Sequence, residues 1–413
     1  VSDELAARLL ARVRALPQAQ AVLELQSSPA PVHLVGGAVR DLLLDRPPGE
    51  LDLVVEGDAL RFARALGGQL TVHDRFGTCT VLRGGYRYDI ARSRRERYPR
   101  PGALPLVEPA PLEEDLRRRD FTAGAIALSL LGAPAGRLHA VPGALGDVFG
   151  RRLRVLHERS FLDDPTRLLR LARYAGRLSF TIEPWTRALA HRAVAAGALG
   201  SVSGSRVGAE LRLAAAEPTP IEVFAVLAEL GIDRSLDPAF GLREPELARR
   251  ALALAGADAR ADLLVLAAAA LSVADGRLRA LLDALAFPAR ERNLILLVRS
   301  RCAQLADALA RARGPAQIAA AARGAPVELV ALAGALGGEA AAAAAARWIG
   351  ELRHIRLQIN GDDLLAAGLP AGPQIGVALR AALQARLEGR ANGRDQELAV
   401  ALAAARAGGA SSV

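Results

Sequence analysis

The chain has 413 residues, 51% of them hydrophobic, only two cysteines, and a formal net charge of +9. That is enough apolar material for two to four domains, and the basic balance suits an anionic partner. Cys79 and Cys302 stand far apart and the six histidines lack ligand spacing, which excludes a disulfide framework and a zinc site. Lysine is absent, so arginine supplies the positive charge; this fits a coding bias and also phosphate recognition, because the guanidinium fork binds phosphate bidentately. Val1 to Arg14 reads as a charged amphipathic helix rather than a leader. The alanine-rich stretches meet charges before they reach bilayer-spanning length. The expectation is a soluble, cytoplasmic protein without membrane contact or an obligatory protein partner.

In chain order, the first third alternates strands and helices. Strands are expected at Val32–Val35, Asp52–Val55, Gln69–Val72, Cys79–Arg83 and Tyr86–Ala91, with helices at Ala38–Leu44 and Ala59–Leu66. Tyr98 to Pro111 is rich in proline and glycine and reads as a long functional or disordered loop without regular structure. Glu113–Arg119 opens a charged helical stretch running into Asp120-Phe121-Thr122. From about Asp163 onward the pattern is helical, with helix starts expected at Asp163, Ser205 and Glu217-Pro218. Ala316–Ala346 reads as closely packed helices. Gly368–Gly376 places a glycine hairpin between two helices, either simple punctuation or a set of N–H groups for a nucleic-acid phosphate. The last residues, Gly408 to Val413, form a short neutral end.

The chemistry concentrates in three places. Gly36 and Gly37 sit at a strand-to-helix turn where phosphate oxygens can approach backbone N–H groups, and Arg40 lies one turn further on, within reach of the same anion. Glu50 and Asp52 are two apart on the next strand, so both point to one face; two hard oxygen ligands beside a phosphate cradle make a Mg²⁺ site for phosphoryl or nucleotidyl transfer. Asp89, on a strand that could pair beside theirs, is either a third ligand or proton acceptor, or a solvated edge residue.

Arg117 to Asp120 sets arginines beside one carboxylate: Arg119 can bind a triphosphate and Asp120 a ribose 2′-hydroxyl, unless the run is only a solvated helix face. Asp163 and Asp164 precede a helix on which Arg167, Arg170 and Arg173 form one stripe. Acids there are ordinary caps, but they also permit a reading of base edges. Cytosine and adenine each present an amino donor beside a ring acceptor, which one carboxylate and one arginine complement. Guanine and uracil would meet like with like. Such a pair selects C and A without a nucleic-acid template.

These ordered motifs give the chain a family resemblance. It resembles the bacterial-type (class II) tRNA nucleotidyltransferases, the CCA-adding enzymes, and their relatives the bacterial poly(A) polymerases. Leu34 to Asp41 is similar to the family's first motif, Glu50-Leu51-Asp52 to its metal-binding Asp-x-Asp, and Asp89-Ile90-Ala91 to the following strand. Tyr98 to Pro105 resembles its flexible loop, Glu113 to Thr122 its ribose-selecting motif, and Val155-Leu156-His157 with Asp163 to Arg170 its template-bearing neck. Gly361 to Leu364 and Gly372 to Gly376 look like its tRNA-gripping tail. The departures are Glu50 and Asp163, where the family usually has Asp and often Glu, together with Gly124 for asparagine and Ala140 for aspartate.

The resemblance implies an elongated α/β plus all-α protein: a nucleotidyltransferase head with a mixed sheet (1–145), then helical neck (146–218), body (219–345) and tail (346–413). It implies transfer of CMP or AMP from CTP or ATP to a tRNA held by its acceptor and T arms. Glu50 and Asp52 would bind Mg²⁺, and Gly36, Gly37, Arg40 and Arg119 would cradle phosphates. Asp120 would meet the ribose, Asp164 and Arg167 (with Asp163 beside them) the base, and Arg170 and Arg173 would support the triphosphate or the template. The alternatives are an enzyme adding only CC or only A, a poly(A) polymerase, and a non-catalytic tRNA-binding homologue.

Overall fold

Val32–Val35 (β1) is buried at all four positions because strands lie on both sides of it. In this computed structural model, which describes residues 3–25, 28–73, 77–132 and 134–409, β1 belongs to a seven-stranded sheet. The other strands are Leu51–Val55 (β2), Gln69–His73 (β3), Thr78–Arg83 (β4), Tyr86–Arg92 (β5), Ile126–Leu131 (β8) and Leu138–Ala140 (β9). Their order is β3-β4-β5-β2-β1-β8-β9. Only β2 and β5 pair in parallel, so the sheet is mixed, as expected. In β2 every residue is buried except Asp52, the single polar break in an apolar strand.

Two features depart from the sequence reading. The segment Tyr98–Pro111 is not irregular throughout: Leu106–Pro109 (β7) pairs antiparallel with Arg94–Arg97 (β6), with Arg95 opposite Glu108. Those two side chains form an ion pair at 2.7 Å. Five of the eight paired residues are charged and one cross-strand pair is an ion pair, so hydropathy gives no sign of this ribbon. The second is β8, which was not expected as a strand. It is buried at all six positions and therefore lacks the alternation that marks a half-exposed strand.

Beyond the sheet, the helix Thr166–Leu178 buries Leu168, Leu169, Leu171 and Ala172, each leucine contributing about 1.5–3 kcal/mol. It packs on the helices Gly204–Ala215 and Pro220–Glu229. A Cβ at Gly176 would lie 2.6 Å from Val223, so this close crossing requires glycine. The expected helix starts shift slightly. Asp163 ends a short helix, Ser160–Asp163; the next helix has Pro165 at its N-cap position, and Asp164 Oδ1 accepts from the Thr166 N–H at 3.1 Å. The later caps are Ser203 and Thr219.

The chain divides into two compact units, Val1–Pro238 and Ala239–Val413. The described part of the second is helical, from Pro245–Ala255 to Arg394–Gly409. Its alanine-rich stretch forms helices Pro315–Ala321, Val327–Leu336 and Gly338–Gly350. A Cβ at Gly334 would come within 2.4 Å of Ala345, so small residues set the packing distance there. Gly361–Ala366 starts with a capping box between Asn360 and Asp363. Ala410 to Val413, part of the expected neutral end, lies outside the described residues, as does the start of the expected first helix at Val1 and Ser2. Among the described residues no helix is long and apolar enough to cross a membrane.

Candidate active site

At the end of β1 the backbone turns through Gly36, with φ +68° and ψ −127°, into the helix Gly37–Leu43. Only glycine holds such a φ without strain. Its N–H is bonded to the Ile126 carbonyl at 2.9 Å, so this amide serves the sheet and cannot also bind phosphate. What Gly36 supplies is room: a Cβ there would stand 3.0 Å from Arg119 Nη1. The N–H groups of the following first turn have no intrahelical acceptors.

Gly36, Gly37, Arg40, Asp52, Arg119, Asp120, Asp164, Arg167 and Arg170 all line one cavity of about 600 Å³. These residues span 134 positions of sequence, from 36 to 170, and only the fold brings them together. Arg40 is buried, and its Nε and Nη2 both donate to Asp41 Oδ1, at 2.9 and 2.7 Å. Arg119 donates from Nη2 to Asp115 Oδ2 at 3.0 Å, while its buried Nε bonds no protein atom.

The carboxylates of the head form a second group. Asp52 and Asp89 are register partners on β2 and β5 and line a common recess beside the main cavity, with Asp52 in both. Asp89 is not a solvated edge residue. Its Oδ1 accepts from Thr80 Oγ1 at 2.7 Å, and Arg87 Nε lies 3.1 Å from its Oδ2. Crowding by protein atoms raises the pKa of Asp52; Arg119 opposes that rise and the neighbouring charges of Asp89 and Glu50 add to it. Glu50 lies one residue before β2, exposed, and lines neither recess. Sheet pairing begins at Leu51, one residue after Glu50; Asp52 has Asp89 as its register partner, and the charge of Glu50 acts on Asp52 as well. Among the described residues no three His, Cys, Asp or Glu side chains form a ready-made metal cage.

The helix Thr166–Leu178 forms the opposite wall. Arg170 Nε donates to Asp120 Oδ2 at 2.6 Å. Arg167 Nε lies 3.1 Å from Asp120 Oδ1, but its N–H is not directed at that oxygen and makes no bond. Burial acts to raise the pKa of Asp120, and the charges of Arg170 and Arg167 outweigh it, so the carboxyl stays below its usual range. Arg167 also donates from Nη1 to Ser160 Oγ and from Nη2 to the Arg118 carbonyl, both at 2.8 Å. Asp164 Oδ1 accepts from Arg206 Nη2 at 2.9 Å.

Two expected site residues are placed elsewhere. Asp163 faces a neighbouring recess with His157, and Arg159 Nη2 donates to its Oδ1 at 3.3 Å. The break between the two helices turns it away from Asp164. Arg173 lies behind the wall, bonded to Glu210 Oε2 at 2.6 Å and Glu217 Oε1 at 3.1 Å; at 11% exposure it braces helices rather than facing the cavity.

The sequence reading missed Arg206 and Glu210, which line the cavity from the helix Gly204–Ala215, as well as Tyr174 and Arg177 on the wall helix. Their one visible signal was Arg206 and Glu210 four apart, which any solvated helix also shows. Tyr174 has the guanidinium groups of Arg170, Arg173 and Arg177 within 5.0–5.9 Å of its ring centroid.

Comparison with known proteins agrees with this geometry. Residues 32–154 match the family described as the poly A polymerase head domain. Over 212 residues the chain is 41% identical to an A-adding tRNA nucleotidyltransferase of Halalkalibacterium halodurans, covering 50% of each protein. Over 199 residues it is 42% identical to a CC-adding tRNA nucleotidyltransferase of Deinococcus radiodurans, covering 47% of this chain and 52% of that protein. The chain thus spans about half the length of the curated relatives it matches. Among solved structures it is similar to the Thermotoga maritima CCA-adding enzyme complexed with tRNA, with TM-score 0.77, 28% identity, and coverage of 96% of this chain and 98% of that one.

Proposed function

We propose that this chain, whose residues 32–154 match the poly A polymerase head domain and whose fold is similar to that of a CCA-adding enzyme, is a class II tRNA nucleotidyltransferase that completes the 3′-terminal CCA of tRNA. The reaction joins the tRNA 3′-oxygen to the α-phosphorus of CTP or ATP. The bond from that phosphorus to the β-phosphate bridging oxygen breaks, and pyrophosphate and the hydroxyl proton leave. The observation that carries this reading is the meeting, in one cavity, of Asp52, the phosphate-facing Arg40 and Arg119, Asp120, and the pair Asp164 and Arg167.

Each group has a defined task. Arg119 lines the cavity and offers its guanidinium charge to the triphosphate, and Arg40, with the first turn after Gly36, adds positive potential beside it. Asp120, held by Arg170 and Arg167, is turned to receive the ribose hydroxyl. Asp164 accepts from the amino group of C or A, and Arg167 donates to the adjacent ring nitrogen. Asp52 and Asp89, with Glu50 at the start of the strand, fit a hard divalent cation. Their mutual repulsion favours a positive charge between them, and water and substrate phosphates complete a Mg²⁺ shell where protein ligands are few. Bound there, Mg²⁺ supplies a lower pKa for the attacking hydroxyl and charge neutralisation on the phosphates. The second unit, with the helix starts at Gly361–Leu364 and Gly372–Gly376, holds the acceptor and T arms, and the site of action is the cytoplasm.

The test is incubation of the purified protein with Mg²⁺, each labelled ribonucleotide, and tRNA ending before CCA, after C or after CC. Incorporation of two C and one A supports the reading. Incorporation of A alone, on tRNA ending in CC, supports the second reading, favoured by the likeness to an A-adding relative. Long A tracts on unstructured RNA, or no transfer at all, overturn both.

A further inference from the structure

The arginine just before Arg119 also lines the cavity, yet its side chain is only 18% exposed and is held by two carboxylates. Arg118 donates from Nε to Asp115 Oδ1 at 2.9 Å, and its Nη2 lies 2.8 Å from the same oxygen. It donates from Nη1 to Glu96 Oε1 at 2.9 Å. Its backbone carbonyl accepts from Arg167 Nη2. The other oxygen of Asp115 accepts from Arg119. Glu96 lies on β6, the base of the Tyr98–Pro111 ribbon, and its second oxygen accepts from Tyr98 Oη at 3.1 Å. Asp115 is completely buried and Glu96 is 8% exposed.

We propose that Arg118 is a positioning residue, clamped between Glu96 and Asp115, that presets both the triphosphate-facing Arg119 and the base-facing Arg167. The proposal rests on the assignment of those two residues above. Two buried carboxylates fix one guanidinium, and that fixes the backbone at residue 118 and therefore its carbonyl. Arg167 bonds that carbonyl and Arg119 follows it directly in the chain, so one anchor orients the donors for both ends of the nucleotide. A charge-assisted pair with little solvent around it holds such geometry firmly. Glu96 lines the same cavity, but its oxygens are taken by Arg118, Tyr98 and the neighbouring Arg94, whose Nε and Nη2 donate to Oε1 at 3.2 and 3.1 Å; it acts from the ribbon through the arginine it holds, linking the seating of the ribbon to the readiness of the site. Asp115 remains ionised below the ordinary range: burial would raise its pKa, and Arg118 and Arg119 overcome that.

The experiment uses the full chain and calorimetric binding of CTP, ATP, UTP and GTP with Mg²⁺, alongside single-turnover incorporation into tRNA lacking CCA. Glu96→Ala is expected to weaken CTP and ATP binding about tenfold and to reduce their preference over UTP and GTP by a similar factor. Glu96→Gln keeps an acceptor for Arg118 and is expected to restore most of both. Equal loss for all four nucleotides, or a lowered melting temperature with unchanged preference, would make the clamp merely structural and overturn the proposal. Should Glu96→Ala fail to fold, Glu96→Gln against Arg118→Lys decides: lysine cannot bridge both carboxylates, so preference must fall in it and not in the glutamine variant. A wild-type protein without preference for C and A would instead overturn the assignment of Arg167, a different result from wild-type preference that survives every variant.

Discussion

Asp52 and Asp89 stand opposite one another on the two strands that pair in parallel within the sheet. The arrangement places two carboxylates in one recess beside the cavity, and the charge of Asp89 adds to the cost of ionising Asp52. Asp52→Asn should therefore lower incorporation of every nucleotide by several kcal/mol of barrier, roughly a thousandfold, while tRNA binding stays close to wild type. Asp89→Asn should be similarly damaging. Glu50→Ala should be milder, because Glu50 is exposed and off the strand. Steady-state incorporation with a parallel gel-shift measurement separates these cases, and full turnover by Asp52→Asn would sink the assignment.

The pair Asp164 and Arg167 yields the most discriminating measurement. Arg167→Ala should remove the donor to the ring nitrogen of C and A and lower their preference over U and G by about 1–3 kcal/mol. Single-turnover rates with all four ribonucleotides give the ratio. An equal loss for each nucleotide would mean that Arg167 only supports Asp120 and the fold.

Gly36→Ala tests the turn. Alanine at φ +68° costs about 1–2 kcal/mol of conformational strain, and its methyl group meets Arg119 at 3.0 Å. The expected result is a lower melting temperature together with a raised KM for nucleotide. A raised KM should also follow from Arg119→Ala, but without the strain.

Acid stability should report on Asp120. Its carboxyl is held below the usual range by Arg170 and Arg167 against the opposing effect of burial. A group with a depressed folded pKa stabilises above its unfolded value, about 3.9, and that contribution disappears as pH falls through the folded pKa. Wild type should lose melting temperature in that window more steeply than Asp120→Asn, which starts less stable at neutral pH. Parallel curves would show that the pair contributes nothing net.

Binding of tRNA should weaken steeply with salt, since arginine–phosphate contacts release counterions, with log K falling linearly in log salt. A mini-helix of acceptor and T arms should compete with whole tRNA. Equal binding of unstructured RNA would favour the poly(A) reading.

Local chemistry made much of this protein readable in the sequence. The strands of the first third carry apolar runs ended by turn residues, so β1 and the helix Ala59–Leu66 emerge at their observed bounds. The glycine turn after β1 shows itself through the spacing of Gly36, Gly37 and Arg40, and the wall helix through arginines at every third position. Tertiary structure decided the rest, because it depends on what lies across from each residue. That Asp89 stands beside Asp52 follows from the register of β2 against β5, which no local pattern encodes. Asp163 and Arg173 belong to the right segments but point elsewhere, because a helix break turns one away and two glutamates on other helices hold the other. Arg206 meets Asp164 across 42 positions, and Arg118 gathers Glu96, Asp115 and Arg167 from three separate elements. Residue types at short spacing fix which chemistry is possible; the packing of distant elements fixes which atoms come within bonding distance to perform it.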